Sequence, residues 1–437
     1  VIPVLTGEEM GAVDAAASEP VEVLIDRAGA AVARTALGML GRAYGKRVVV
    51  VAGKGNNGAD GRAAARRLEA RGVRVRVIEA AEAEGHELPA CDLVVDAAFG
   101  TGFRGAYDPP LVPDSALVLA VDVPTGGVVE ADRTVTFAAL KPVHLFDPEP
   151  CGVVELADIG LDTAGAARAW LVEDDDVWAA LPERPPDAHK WQTAVFVAAG
   201  SSGMMGAPLL CARAAMRSGS GYARVGVPGA EAADWPAGNE AVAVSLPASG
   251  WADAVLPELE RCKALVIGPG LGRSDETAKN VARLVAESPG PVVVDADGLN
   301  ALGEAPAVDR ADVVLTPHER EFERLSGHPV GDDRMAAARA LAQRVGAVVL
   351  LKGSTTCVAH PDGRVLVTAA GGPRLATAGT GDVLSGMIGA FAAQGVEVWR
   401  AAALAAHVHG RAASLGPSTG LVAGDLPDLV SEWLSGA

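Results

Sequence analysis

Residues 376–382 read Ala-Thr-Ala-Gly-Thr-Gly-Asp. Gly379 and Gly381 permit a nest of backbone N–H groups that can hold a phosphate or a developing anion. A helix starting there would aim its positive end at the same place, and Asp382 in its first turn could take the proton of an alcohol. An anion hole plus a base on the acceptor hydroxyl is what phosphoryl transfer needs. A capping Asp behind a glycine hinge would give the same string, so its company decides. Four other Gly/polar segments follow strand-like runs: 199–207, 268–272, 315–321 and 352–356. Within them Lys352 could neutralise phosphate, His318 could contact a ligand, and Glu321 could hold magnesium or order water near phosphates. Asp295 and Asp297 also end a strand-like run, and either turn formation or catalysis would explain them.

The N-terminal half carries a second set. Residues 52–61 read Ala-Gly-Lys-Gly-Asn-Asn-Gly-Ala-Asp-Gly, ahead of a helical stretch whose free N–H groups could meet a phosphate. Asp96 opens a loop that runs through Gly100, Thr101, Gly102, Phe103, Arg104 and Gly105. Asp122 opens a third, with Thr125 and Gly126. Each Asp alone could be an Asx-turn. Two on neighbouring strands, facing Asn57, fit a hard cation or proton transfer. An oxygen-only ligand set favours an alkali or alkaline-earth ion over zinc.

Loops of this kind must be held by elements. Thr6-Gly7-Glu8-Glu9 has capping-box spacing and predicts a helix start. A second helix is expected over 21–40 and a third over 60–71. Strands are expected at 47–52, 74–78, 93–96 and 117–121, and more weakly at 134–137 and 153–156. The alternation predicts a parallel sheet with helices on both faces. Around 164–186 the pattern breaks into an acidic run and prolines, read as a linker. A second series follows, with strands at 194–199, 264–267, 291–295, 312–315 and 347–352. Domains are therefore set at 1–165 and 188–437, with a linker at 166–187.

Composition agrees. Of 437 residues, 49% are hydrophobic and only 4% aromatic, as Val-rich strands and Ala-rich helices would give. A net charge of −18 argues against nucleic acid or an anionic membrane as partner, while leaving room for a small anion on backbone N–H groups. Five scattered cysteines without a Cys-x-x-Cys pair read as reduced thiols. No apolar run approaches the roughly 18–20 residues that span a bilayer, and no signal peptide opens the sequence. A cytoplasmic homo-oligomer acting on small molecules is expected.

The first three loops, in this order, resemble the N-terminal epimerase domain of the NAD(P)H-hydrate repair proteins. Ala59 stands where that family has a second Gly. The later five segments resemble the ADP- or ATP-dependent NAD(P)H-hydrate dehydratases over roughly 188–434. The resemblance implies two three-layer α/β domains, the first Rossmann-like and the second ribokinase-like. It implies that Asn56, Asn57, Gly58, Ala59, Asp60, Gly100, Thr101, Gly102, Phe103, Arg104, Gly105, Ala106 and Asp122 meet the hydrated dinucleotide in the first domain. Asn57, Asp96 and Thr125 would bind potassium, and Asp122 would be the candidate general base. Lys141 would lie near that site. In the second domain Ala207, Gly270 and His318 would meet the substrate. Lys352, Gly353, Ser354, Thr355, Thr356 and Gly381 would meet the nucleotide, and Asp382 would meet the substrate and serve as base. The implied function is epimerisation of R and S NAD(P)H hydrates and nucleotide-dependent dehydration of the S form, with potassium, magnesium and ADP, favoured over ATP. A ribokinase-like small-molecule kinase with a non-catalytic dinucleotide-binding N-terminal domain would use many of the same residues and is the alternative.

Overall fold

The computed structural model describes every residue except Arg104, Val128, Ala237, Gly238 and Ala437. It divides into two compact units, Ile2–Ala169 and Trp170–Ala437, with Val1 assigned to the second. The N-terminal unit runs β1 (Ile2–Val4), α1 (Gly7–Ala15), α2 (Val21–Leu40), β2 (Arg47–Ala52), α3 (Asn56–Ala70), β3 (Arg74–Glu79), α4 (Ala80–Ala83), β4 (Leu93–Ala97), β5 (Leu117–Val121), β6 (Arg133–Phe137), α5 (Val143–Phe146) and β7 (Val153–Ala157). Thr6 caps α1 in the expected capping box with Glu9.

Six strands form a parallel sheet in the order β3-β2-β4-β5-β6-β7. Alternate residues of β2 feed two cores. Val48, Val50 and Ala52 pack with α2 and α3; Val49 and Val51 pack with Ala80 and Ala83 of α4. That is the three-layer arrangement a fully buried parallel sheet requires. Helices α2 and α3 cross closely because Gly29 has no side chain: a Cβ there would stand 2.5 Å from Ala63 Cβ. The chain leaves β2 toward β3 on one side and returns to β4 on the other. Ligand crevices open at such a reversal, beyond the carboxyl ends of the strands.

The C-terminal unit runs β8 (Ala169–Leu171), α6 (Asp174–Ala180), β9 (Ala194–Ala198), α7 (Gly206–Arg217), β10 (Tyr222–Pro228), β11 (Val242–Leu246), α8 (Ala252–Leu259), β12 (Ala264–Ile267), α9 (Asp275–Glu287), β13 (Val292–Val294), α10 (Asp297–Leu302), β14 (Val313–Leu315), α11 (Glu319–Ser326), α12 (Arg334–Val345), β15 (Val348–Leu351), β16 (Thr356–Ala359), β17 (Val365–Thr368), α13 (Thr380–Ala393), α14 (Val398–Leu415) and α15 (Leu426–Leu434). Its strands follow the order β8-β17-β16-β15-β14-β13-β12-β9-β10-β11. From β15 to β11 neighbours are parallel, and β16 runs antiparallel to both its neighbours. The carboxyl ends of β9, β12, β13, β14 and β15 therefore share one edge, where all five C-terminal segments gather. Val195, Val197 and Val266 face a core with α7, α13 and α14.

Two elements differ from expectation. Helix α3 begins at Asn56, not near 60: Gly55 is its N-cap, and Asn56 to Asp60 form its first turn. Residues 166–187, read as a linker, carry β8 and α6; Val172, just after β8, and Val177 of α6 are buried in the core with α14. The acidic run that looked like linker is the first turn of α6, where carboxylates suit the helix end.

Candidate functional site

The N-terminal unit holds a cavity of about 620 Å³ at its sheet reversal. Asn56, Asn57 and Asp60 reach it from α3; Gly100, Thr101, Gly102 and Phe103 from the loop after β4; Asp122 from the end of β5. Gly58 instead packs behind, where a Cβ would stand 1.9 Å from Gly53 O, and Ala59, Gly105 and Ala106 do not line the cavity. Arg104 lies outside the described residues. Phe99 and Phe103 stack with centroids 4.1 Å apart and wall one side.

Asp122 has φ 67°, and Val123 N donates to Val121 O across it at 2.9 Å. This is a γ-turn of the rarer, strained hand. The carboxylate receives Thr101 Oγ1 at 2.5 Å and Thr101 N at 3.3 Å on Oδ2, and Thr136 Oγ1 at 3.1 Å on Oδ1. Lys141 Nζ, almost wholly buried, sits 2.6 Å from the same Oδ1. Burial works against this anion, but the Lys141 charge and the Lys141 and Thr101 hydrogen bonds outweigh it and hold Asp122 down at about 2. Asp60 goes the other way. Burial first, then the carboxylates of Asp122 and Asp14, push it up to about 8. One cavity thus holds one carboxyl drawn well down and another pushed well up, a pairing suited to moving protons.

The cation ligands expected from sequence divide into two groups. Asp96 is buried and takes Thr125 N at 2.8 Å and Thr125 Oγ1 at 2.7 Å. Burial still pushes its pKa up against those bonds, so a cation beside it would relieve the site. Asn57 Oδ1 and Nδ2 are buried without a hydrogen-bond partner among the described residues. Asn57 Cγ comes 3.5 Å from where a Cβ on Gly100 would stand, beside Phe99, whose carbonyl meets Thr125 Oγ1. A buried amide left unpaired is costly unless something else completes it. These residues fit a weakly hydrated monovalent cation.

In the C-terminal unit Gly379 caps α13 with φ 92°, and Asp382 sits in the first turn. Leu210 Cδ1 lies 2.7 Å from where a Cβ on Gly379 would be, and Asp382 Oδ2 3.9 Å away. Beneath Gly381, Lys352 Nζ is 3.4 Å from the missing Cβ. Lys352 is paired with buried Asp295 at 2.6 Å, and Ser385, one turn after Asp382, donates to the other Asp295 oxygen at 2.8 Å. Asp295 thus anchors Lys352 and does not stand free as a base. Burial, then the Asp295 charge, pushes Asp382 up to about 6 against the pull of Lys352.

Around this centre, a Cβ on Gly270 (φ 68°) would touch Ala207 Cβ and Met204 at 3.3 Å, and Ser201 Oγ donates to Gly270 O at 2.8 Å. The Gly270 and Ala207 loops therefore meet. His318 is the N-cap of α11: its Nδ1 accepts Arg320 N and Glu321 N, and Glu321 Oε2 accepts His318 N at 3.0 Å. Glu321, expected as a magnesium ligand, is buried in that capping box, and the described residues contain no cluster of three His, Cys, Asp or Glu set to hold a metal. Asp297 accepts Gly272 N at 2.9 Å and shapes its turn. Arg334 donates to Lys352 O at 2.8 Å, and Thr356 Oγ1 to Gly353 O, fixing the start of the Lys352–Thr356 loop. Asp14, His144, Ser385 and Leu210 were not singled out from the sequence. Only Ser385 carried a local signal, three residues after Asp382 on the same helix face.

Residues 195–435 match a family model described as NAD(P)H-hydrate dehydratase, and residues 21–89 one described as YjeF-related protein N-terminus. The bifunctional NAD(P)H-hydrate repair enzyme Nnr of Mycobacterium tuberculosis H37Rv is 40% identical over 83% of this chain and 82% of its own. The enzyme of the same description from Salinibacter ruber is 36% identical over 98% and 95%. Among solved structures, the ADP/ATP-dependent NAD(P)H-hydrate dehydratase of Bacillus subtilis, co-crystallized with ATP/Mg²⁺, matches at TM-score 0.51 and 29% identity over 60% of this chain and 96% of that one. A ribokinase-like superfamily protein from Enterococcus faecalis V583 matches at TM-score 0.52 and 21% identity, covering 61% and 96%.

Proposed function

The chain belongs to the family of bifunctional NAD(P)H-hydrate repair enzymes, which fuse an epimerase unit to a dehydratase unit, and on that premise we propose how its two sites divide the work. It is an isomerase and a lyase. The N-terminal unit interconverts the R and S hydrates of NADH or NADPH, and the C-terminal unit dehydrates the S form with an adenine nucleotide.

In the dehydratase unit Asp382 takes the proton of the ring hydroxyl as that oxygen attacks the terminal phosphoryl group of ADP, favoured over ATP. The ring C–O bond then breaks with phosphate as leaving group, and the neighbouring ring carbon gives up a proton to restore the reduced nicotinamide. The backbone N–H groups of Gly379 to Gly381 and the start of α13 meet the charge that builds up. Gly381 leaves Lys352 uncovered beneath the phosphate, and Lys352 to Thr356 line the nucleotide. Ala207, Gly270 and His318 hold the dinucleotide. Magnesium bound through the nucleotide phosphates would neutralise their charge, and Glu321 would reach it through water at most.

In the epimerase unit protonated Asp60 supplies the proton as the ring hydroxyl departs as water. The Asp122 carboxylate faces the planar cation that remains. Water adds back from the other face and gives its proton to solvent, from which Asp60 is reprotonated. Asp122, held low by Lys141, is a weak base and a durable anion, so stabilising positive charge suits it better than abstracting a proton. Potassium held by Asn57, Asp96 and Thr125 would order the loops that carry Phe99 and Asp122.

The observation that carries the dehydratase assignment is Asp382, poised near pH 6 beside a glycine nest over the Lys352–Asp295 pair. The Asp382→Asn chain, given S hydrate and ADP or ATP, tests it. Loss of phosphate release and cofactor recovery is expected; turnover at the wild-type rate refutes the role.

A further inference from the structure

Asp122 and Lys141 are joined by more than their ion pair. His144, in α5, receives Lys141 N–H on Nδ1 at 3.1 Å. A backbone N–H can only donate, so Nδ1 is bare and the ring proton is on Nε2. Nε2 stands 3.0 Å from Asp122 O, which can only accept. The imidazole therefore bridges the backbone of the lysine to the backbone of the aspartate, while their side chains meet at 2.6 Å. The three contacts close a ring.

Lys141 and His144 tie that ring to two strained turns. Asp122, at the end of β5, is one. Ala138, at the end of β6, is the other: its φ is 60°, and Ala139 N donates to Phe137 O across it at 2.6 Å. Lys141 Nζ donates to both flanking carbonyls, Phe137 O and Ala139 O, at 3.1 Å. Non-glycine residues hold such turns only where their surroundings over-determine them, and they cluster where geometry serves function. His144 is buried and does not line the cavity, so it touches no substrate there.

We propose that His144 is a positioning residue for the epimerase reaction, an Nε2–H imidazole that clamps the Asp122 turn so that the carboxylate faces the cavity. This rests on the assignment of Asp122 to the epimerase site. Burial, then Lys141, keeps the ring neutral, with a pKa lowered to about 4, as the clamp requires.

The test uses the full chain, with dehydration by the other unit as an internal control. His144→Phe keeps the ring shape and removes both bonds. It should lower kcat for epimerisation of the R hydrate roughly ten-fold or more, since misplaced groups lose orientation first. KM should change little, and dehydration of the S hydrate should keep its wild-type rate. His144→Gln, which can still donate to Asp122 O, should recover part of the loss. Equal kcat in wild type and His144→Phe, or a loss carried by KM alone, overturns the proposal. If His144→Phe does not fold, the comparison of His144→Gln with wild type decides on the same terms. A wild type no faster than spontaneous epimerisation removes the epimerase reading itself. The clamp is then judged by imidazole ¹⁵N spectra: a bare Nδ1 and protonated Nε2 for His144 support it, and the opposite tautomer overturns it.

Discussion

Lys141 Nζ stands 2.6 Å from Asp122 Oδ1, and in the other unit Lys352 Nζ stands 2.6 Å from Asp295 Oδ1. The two pairs leave their neighbours in opposite states. In the first, the candidate functional carboxylate is itself the partner of the lysine and is held down at about 2. In the second, Asp295 takes the lysine, and Asp382 outside the pair is pushed up to about 6 by burial and by Asp295. A proton-accepting role suits Asp382, whose pKa lies near the working pH. In the first unit the titratable partner is Asp60.

The pH dependence of dehydration should follow from this. The acid limb of kcat/KM, reporting Asp382, is expected near pH 6. Asp295→Asn removes a charge that raises Asp382 and frees Lys352 to lower it, so the limb should move down. Lys352→Met should move it up. Removing one partner of a buried pair also costs on the order of 3–5 kcal/mol, so both variants need pH–rate profiles below their unfolding range. A limb that stays put in both rules out Asp382 as the titrating base.

Asp60 links stability to pH with a definite sign. Its folded pKa, about 8, lies above the unfolded value of 3.8. Its favourable contribution is complete below about pH 4 and is lost as pH rises through 8. Asp60→Asn removes that dependence. The variant should gain on the wild type between pH 4 and 8, by a few kcal/mol at the upper end, and should lose epimerisation. Urea midpoints against pH check the first part; a constant gap across that window contradicts it.

Potassium dependence should reside in the N-terminal unit. With ionic strength held by choline chloride, wild-type epimerisation should rise with added KCl. Asn57→Ala removes the buried amide that has no partner among the described residues, and should leave epimerisation at the potassium-free level. An unaltered potassium response in Asn57→Ala would place the cation elsewhere.

Much of this was legible in the sequence, for reasons that can be named. Strand-end loops could be listed because Val-rich runs such as Arg47–Ala52 are buried on both faces of a parallel sheet. The start of α3 was misplaced because Gly55 gives no side-chain cap to read, so Asn56 and Asn57 looked like turn residues although they are already helical. Residues 166–187 read as a linker because the acidic run 173–176 and the prolines at 182, 185 and 186 interrupt the pattern, and the two short apolar stretches on either side of the acidic run are each too short to show a period. The pairing of Lys352 with Asp295 joins residues 57 apart in sequence, and that of Lys141 with Asp122 needs two neighbouring strands in register. His144 had no signal beyond being near Lys141. Glu321 read as a metal ligand because the capping box with His318 turns on a histidine ring as N-cap, outside the usual Ser, Thr, Asp or Asn.

One assay bears on both units at once: the mixed R and S hydrates of NADH, given ADP or ATP, followed by the absorbance of the reduced nicotinamide with phosphate release. The wild type should recover all of the cofactor. Asp122→Asn should recover the S fraction quickly and then slow to the rate of spontaneous epimerisation. Asp382→Asn should recover nothing. Full recovery by Asp122→Asn at the wild-type rate, or no recovery by the wild type with either nucleotide, would contradict a chain that epimerises at Asp122 and dehydrates at Asp382.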